Sequence, residues 1–213
     1  AALDGARYIL MERFAEDAEL LGALRDFVWQ EGQLKVTVVE GKENEGAKFR
    51  DYFDHVEALK KVPSHRALAI LRGRNEGILA YSIVMGDAED DRRQPHPAEQ
   101  RIAAHWRIRD NGRAADKWLS DVVRWTWRVK LSTQIETDLI AQVREAAETE
   151  AINVFAANLK DLLLLAPAGP RPTLGLDPGL RTGVKVAVID GTGQVVDHGA
   201  IFPHAPQNKW DQS

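Results

Sequence analysis

Apolar residues along the first thirty positions recur every three or four places. Leu3, Ala6, Ile9, Leu10 and Phe14 form one series, and Leu20, Leu21, Leu24, Phe27 and Val28 a second. This spacing predicts helix up to Glu31-Gly32. The period then shortens: Leu34 to Val39 alternates and is rich in valine, predicting a strand, with a polar turn from Gly41 to Gly46. Phe49, Phe53, Val56 and Leu59 return to helical spacing and predict a short helix closed before Pro63. Ser64 reads as an N-cap, accepting from otherwise orphaned amides, for a helix carrying Ala67, Leu68, Ile70 and Leu71. Segments 49–61 and 64–72 admit a helix-turn-helix, with a plain helical corner equally open because Pro63 stands between them. Arg72 to Gly77 breaks the second helix, and Ile78 to Val84 predicts a strand able to pair with the first. Gly86 to Pro97 reads as an exposed loop.

From Pro97 to Leu165 the pattern is helical almost throughout. Within Arg113 to Lys130, Trp118, Val122, Trp125 and Val129 fall on one stripe. Thr133-Gln134-Ile135-Glu136 fits a capping box and predicts a fresh helix start. From there Ile135, Leu139, Val143, Ala147, Val154, Phe155, Leu159 and Leu162 extend a helix of about 30 residues, about 45 Å long and suited to act as a strut. Prolines 167, 170 and 172 with Gly169 cannot continue it and mark a linker. Beyond lie a strand from Thr173 to Asp177, another from Val184 to Ile189, an Asp190-Gly191-Thr192-Gly193 hairpin turn and a third strand from Gln194 to Phe202. His204 to Asn208 reads as loop, and Lys209 to Ser213 as the start of a helix. The expected class is mainly α with small β elements (α+β). It divides into a helical region with a small β pair over 1–166, a linker over 167–172 and a three-stranded antiparallel sheet over 173–213.

Composition narrows the chemistry. Among 213 residues there is no cysteine, which excludes disulfides and thiolate metal sites. No apolar run approaches the roughly 20 residues that span a bilayer. The start, Ala1-Ala2-Leu3-Asp4, is unlike a signal peptide, and without an initiator Met it suggests a piece of a longer chain in the cytoplasm. A net charge of −4 argues against strong nucleic-acid binding by this chain alone, because phosphate contacts need a positive surface.

Two basic groups are nevertheless candidates for nucleic-acid contact. Lys117, Arg124 and Arg128 share a helical face with Arg113 one turn earlier, and Trp118, Trp125 and Trp127 interleave as a stacking set. The alternative is a core tryptophan stripe with a solvated basic flank, partly offset by Asp121. Arg66, Arg72 and Arg74 gather around a helix end and turn, where the macrodipole favours cations in any case. Asp177 ends a strand and opens a glycine-flanked turn. It reads as a metal ligand, as part of a phosphate loop with Gly179, Thr182 and Gly183, or as a turn former before Pro178. Asp190 lies at the far end of the next strand, roughly 20 Å away at about 3.3 Å per residue. A two-metal site needs several converging carboxylates around ions about 3.5–4 Å apart. No catalytic residue and no metal site is therefore expected within this chain. His55, His65, His96, His105, His198 and His204 show no metal-ligand spacing and read as structural or exposed.

Taken together, Gly175-Leu176-Asp177-Pro178-Gly179-Leu180-Arg181-Thr182-Gly183, the hairpin after it and His204 to Gln212 resemble the start of the YqgF-type, RNase H-like domain of bacterial Tex proteins. Tyr8 to Ala15, Pro63 to Ile70, Arg72 to Gly77 and Gly112 to Leu119 resemble the same family upstream, so the likeness covers essentially the whole chain. The resemblance implies a transcription accessory factor, an elongated multidomain scaffold related to a eukaryotic elongation factor and histone chaperone. Helix-hairpin-helix modules and a C-terminal OB-fold, absent here, would carry much of the nucleic-acid (RNA) binding. The transcription machinery would be a further partner, with no membrane role. In catalytic relatives such as junction resolvases the position of Asp177 is the first metal carboxylate. The Tex type is not regarded as a working nuclease, which leaves Asp177 a vestigial candidate. No cofactor and no enzymatic activity are implied for this chain, with Mg²⁺ reserved for a complete RNase H-like domain. A metal-dependent RNase H-like nuclease fragment and an actin-like ATPase fragment stand as alternatives. Residues 171–213, with an open strand edge, are expected to be poorly ordered alone or packed on a neighbour.

Overall fold

The computed structural model describes residues 2–86, 95–167, 169–179, 182–204 and 207–210. It forms two compact units, Ala1–Ala157 and Asn158–Ser213. The architecture is α+β, as the periodicity predicts.

The first unit opens with helices α1 (Ala2–Ala15) and α2 (Ala18–Glu31), separated at Asp17, whose Oδ1 accepts the Leu20 amide at 2.8 Å. Strands β1 (Gln33–Val38), β2 (Asp54–Ala58) and β3 (Leu79–Val84) form an antiparallel sheet in the order β2-β1-β3. Leu34 and Val36 of β1 are buried, as period-two alternation requires. The predicted pair of β1 and β3 is present, and a third strand joins it. The helix expected over 49–59 is replaced by a 3-10 turn, Ala47–Tyr52, and by β2. The backbone of β1 has two edges needing partners, and β2 fills the second, with Val36 opposite His55. Val56, counted as apolar in a helical stripe, faces outward at 48% exposure. The helix-turn-helix reading falls with that helix.

Helix α3 (Ser64–Asn75) is capped by Pro63, so Ser64 is its first residue and not its cap; the Ser64 hydroxyl donates instead to Glu150. Gly77, at φ 71°, ends the helix. Helix α4 (Pro97–His105) starts at His96, whose Nδ1 accepts the Ala98 amide at 3.1 Å. Residues 87–94, most of the predicted loop, lie outside the described residues.

Helix α5 (Asp116–Trp125) runs through a six-residue π turn, Thr126–Leu131, into helix α6 (Ser132–Leu163, 32 residues). The predicted tryptophan stripe is not the buried face. Val122 is buried, but Trp125 and Val129 are 49% and 53% exposed, and Val123, Thr126 and Trp127 turn inward instead. The Thr126 hydroxyl bonds back to the Val122 carbonyl at 2.8 Å, a contact that accompanies such local widening. No capping box forms: Ser132 keeps helical angles, and Glu136 Oε2 accepts the Ile83 amide of β3 at 3.1 Å. Buried residues of α6 end at Ala147, while Ile152, Phe155, Leu159 and Leu162 are exposed. The core gathers Met11, Leu24, Val36, Ile70, Ile102, Val122, Leu131 and Leu139.

In the second unit, β4 (Thr173–Gly179), β5 (Gly183–Ile189) and β6 (Val195–Ile201) form the expected antiparallel sheet in the order β4-β5-β6. Strand β4 runs two residues past Asp177, which pairs with Lys185 inside the ladder and does not open the turn. Pro178 is tolerated because β4 is an edge strand. The hairpin after β5 takes its positive φ at Gly193 (88°), with Asp190 Oδ1 accepting the Thr192 and Gln194 amides at 2.8 and 3.0 Å. These bonds, led by that of the Thr192 hydroxyl, hold the Asp190 carboxyl below its ordinary range. Leu180 and Arg181, Ala205 and Pro206 of the predicted loop, and Asp211 to Ser213 of the predicted helix start lie outside the described residues. No helix of the described residues is long and apolar enough to cross a membrane.

Candidate nucleic-acid interface

The basic candidates lie on α3, on α5, just before α5 (Arg113) and in the π turn after it (Arg128), and most of them meet an acid of the same unit. Arg66, in the first turn of α3, donates to Glu57 Oε2 at 2.6 Å, while His55 Nε2 lies 3.0 Å from the other carboxylate oxygen. The largely buried Glu57 thus pins α3 to β2. At the other end of α3, Arg72 Nε donates to Glu76 at 2.8 Å and Lys48 reaches its second oxygen at 2.5 Å. Lys48 first, then Arg72, hold the Glu76 carboxyl below its ordinary range. Arg74 lays its guanidinium 4.4 Å from the Tyr81 ring centroid, a cation–π contact. Arg66 is therefore at one end of α3 and Arg72 and Arg74 at the other.

On α5 the arrangement is tighter. Arg113 donates to the buried Asp116 from Nε at 2.9 Å, and the Asn111 and Arg113 amides donate to its other oxygen at 2.8 and 2.9 Å. The Arg113 side chain, followed by these two amides, lowers Asp116 to about 2, and Asp116 in turn raises Arg113 above its ordinary value. Arg124 and Arg128 share one acid: their Nε atoms lie 3.8 and 3.3 Å from Glu99 of α4, whose side chain is 5% exposed. Arg124 also lies 3.9 Å from Asp121. Lys117 is exposed and makes no ion pair among the described residues. The three interleaved tryptophans separate: Trp127 is buried and stacked on His96 at 4.8 Å, Trp118 is half-buried, and Trp125 faces out. Burial, helped by the nearby Arg128 charge, pushes the His96 imidazole down from its ordinary value.

Sequence reading missed the acids. Glu57 and Glu99 are remote in sequence from their arginines, whereas Glu76, four places after Arg72, and Asp116, three places after Arg113, carried a local signal. Asp177 is exposed on β4, with Lys185 Nζ 3.7 Å away. Among the described residues no three acids or histidines converge on a point that would hold an ion. One exposed carboxylate beside a lysine does not fit Mg²⁺.

A helical α+β unit is followed by a small antiparallel β unit, and five of the seven candidate cations pair with acids of their own unit. Residues 1–155 match the Tex central region-like family, and residues 171–213 match the Tex protein YqgF-like domain. The chain belongs to the Tex family. It is 60% identical over 207 residues to protein YhgF of Escherichia coli strain K12, covering 97% of this chain and 27% of that protein. It is 53% identical over 208 residues to the transcriptional accessory protein Tex of Neisseria gonorrhoeae, covering 98% and 27%. It is 26% identical over 210 residues to human S1 RNA-binding domain-containing protein 1, covering 95% and 21%. The chain spans about a quarter of the length of the bacterial relatives it matches.

Proposed function

We propose that this chain is the brace of a Tex-type transcription accessory protein, holding apart and orienting parts that meet nucleic acid elsewhere in the longer polypeptide. The observation that carries the reading is the pairing of Arg66, Arg72, Arg113, Arg124 and Arg128 with acids of their own unit. These charges bind α3 to β2 and α5 to α4, leaving a modest surplus for phosphate. A helix of 32 residues, about 48 Å long, suits a spacing element. The words "transcriptional accessory" and "S1 RNA-binding" in the names of two relatives support a nucleic-acid setting. Within that setting the transcription machinery is the natural protein partner and the cytoplasm the natural compartment. We assign the chain no chemical step and no cofactor.

The test is RNA binding by fluorescence anisotropy, comparing this chain with the native-length protein. The brace reading expects the chain to bind at least 100-fold more weakly. Equal affinity would overturn it, because the chain would then carry the interface itself.

A further inference from the structure

One large aromatic side chain stands exposed beside the basic ridge. Trp125 sits where α5 enters the π turn, 49% exposed, and is bracketed by Arg124 and, one turn on, Arg128. Lys117, Asp121, Arg124 and Arg128 recur at four-, three- and four-residue steps, so they form one outward ridge next to the indole. From α1, the Arg7 guanidinium lies 6.0 Å from the Trp125 ring centroid. Set against Asp4, Glu99 and Asp121, the cations Arg7, Lys117, Arg124 and Arg128 leave one surplus positive charge in a chain whose net charge is −4. On this segment itself the exposed apolar side chains are Trp125 and Val129. A protein-docking face is usually a contiguous apolar area of several hundred Å². A flat aromatic face flanked by guanidinium groups is instead what an unpaired base and its phosphates need, since every base has a π face.

We propose that Trp125 is a stacking platform for a base of single-stranded nucleic acid, with Arg7, Lys117, Arg124 and Arg128 steering its phosphates. This rests on the brace reading, in which the main interface lies elsewhere, and adds a weak secondary contact on the brace itself. Because most of the ridge charge is already balanced, binding here has a shallow salt dependence. Its log–log slope is about −0.7, for roughly the one phosphate on a single strand that the single surplus charge neutralises.

The experiment titrates fluorescein-labelled oligouridine and oligothymidine decamers with this chain at low salt, using Trp125→Ala and Trp125→Phe. The expected result is about tenfold weaker binding for Trp125→Ala, near-native binding for Trp125→Phe and an unchanged melting temperature for both. Binding of either decamer supports the proposal, and the pair separates RNA from DNA preference. Wild-type affinity in Trp125→Ala, or no binding by the wild-type chain, overturns it. Neither outcome touches the brace reading, which fails only if the chain alone binds as tightly as the native-length protein.

Discussion

Glu99 decides whether Arg124 and Arg128 are structural or free, and the decision can be made with two variants. The carboxylate is nearly buried, while the two arginine side chains remain 42% and 45% exposed. At these distances and an effective dielectric of about 20, each pair attracts by about 4 kcal/mol before desolvation is subtracted. The two ways of breaking the bracket are not equivalent. Replacing Glu99 by Gln keeps the shape and leaves two arginines that water can still reach, so the cost is about 1 kcal/mol. Deleting both arginines, Arg124→Ala with Arg128→Ala, strands a buried carboxylate. That places the loss near the low end of the 3–5 kcal/mol range for a broken buried pair, about 3 kcal/mol. Urea unfolding followed by tryptophan fluorescence reports on the first unit, because Trp29, Trp106, Trp118, Trp125 and Trp127 all lie within it. The midpoint should fall far more for the double arginine variant than for Glu99→Gln, at constant m-value. A double arginine variant as stable as wild type would refute the reasoning. The arginines would then be idle in the fold and available to phosphate.

Gly73 is packed against the buried Leu79: a Cβ there would lie 2.5 Å from Leu79 Cδ1. Overpacking of about 1–3 kcal/mol exceeds the roughly 1 kcal/mol of helix propensity gained. Gly73→Ala should therefore lower the melting temperature, and Leu79→Ala should relieve the clash, so that the double variant loses less than the two singles combined. Asp116, held at about 2 against an ordinary 3.8, contributes stability that is present above about pH 4 and lost as the pH falls toward 2. The melting temperature should decline across that window, and Asp116→Asn should flatten the decline. Gly193→Ala forces a side chain into a φ of 88° and should cost about 1 kcal/mol in the second unit, read by amide exchange of β5 and β6. Adding Mg²⁺ should leave the chain's melting temperature unchanged; a rise abolished in Asp177→Asn would revive a metal role for that carboxylate.

The helices, β1, β3 and the second sheet were legible because each carries its own period or turn signal. The Leu34 to Val39 alternation and the Asp190 to Gly193 turn needed no distant partner to be read. What failed depended on tertiary context. β2 was hidden because Phe49, Phe53, Val56 and Leu59 fall at helical spacing, and only the open edge of β1 turns that segment into a strand. The π turn was hidden because no residue type announces it. The stripe drawn through Trp118, Val122, Trp125 and Val129 also missed the buried face, which runs through Val122, Val123, Thr126 and Trp127. The candidate cations were legible as residues. Their partners were not, since Arg128 and Glu99 are 29 places apart.

That last gap bears on how a basic ridge should be read in any scaffold. Spacing on a helix says which cations share a face, but whether the face is positive depends on acids delivered by other elements. Here α4 brings Glu99 under two arginines and β2 brings Glu57 to a third. The same cations that suggest a phosphate track then fix the angles between α4, α5, α3 and the sheet. A face built this way resists salt less than a hydrophobic contact would, because its more exposed members are screened within about 10 Å at 0.1 M ionic strength. Rigidity at physiological salt therefore rests on the buried acids. Glu99 and Asp116 are the two whose carboxylates water scarcely reaches, and they hold the brace at the segment from which Trp125 is displayed.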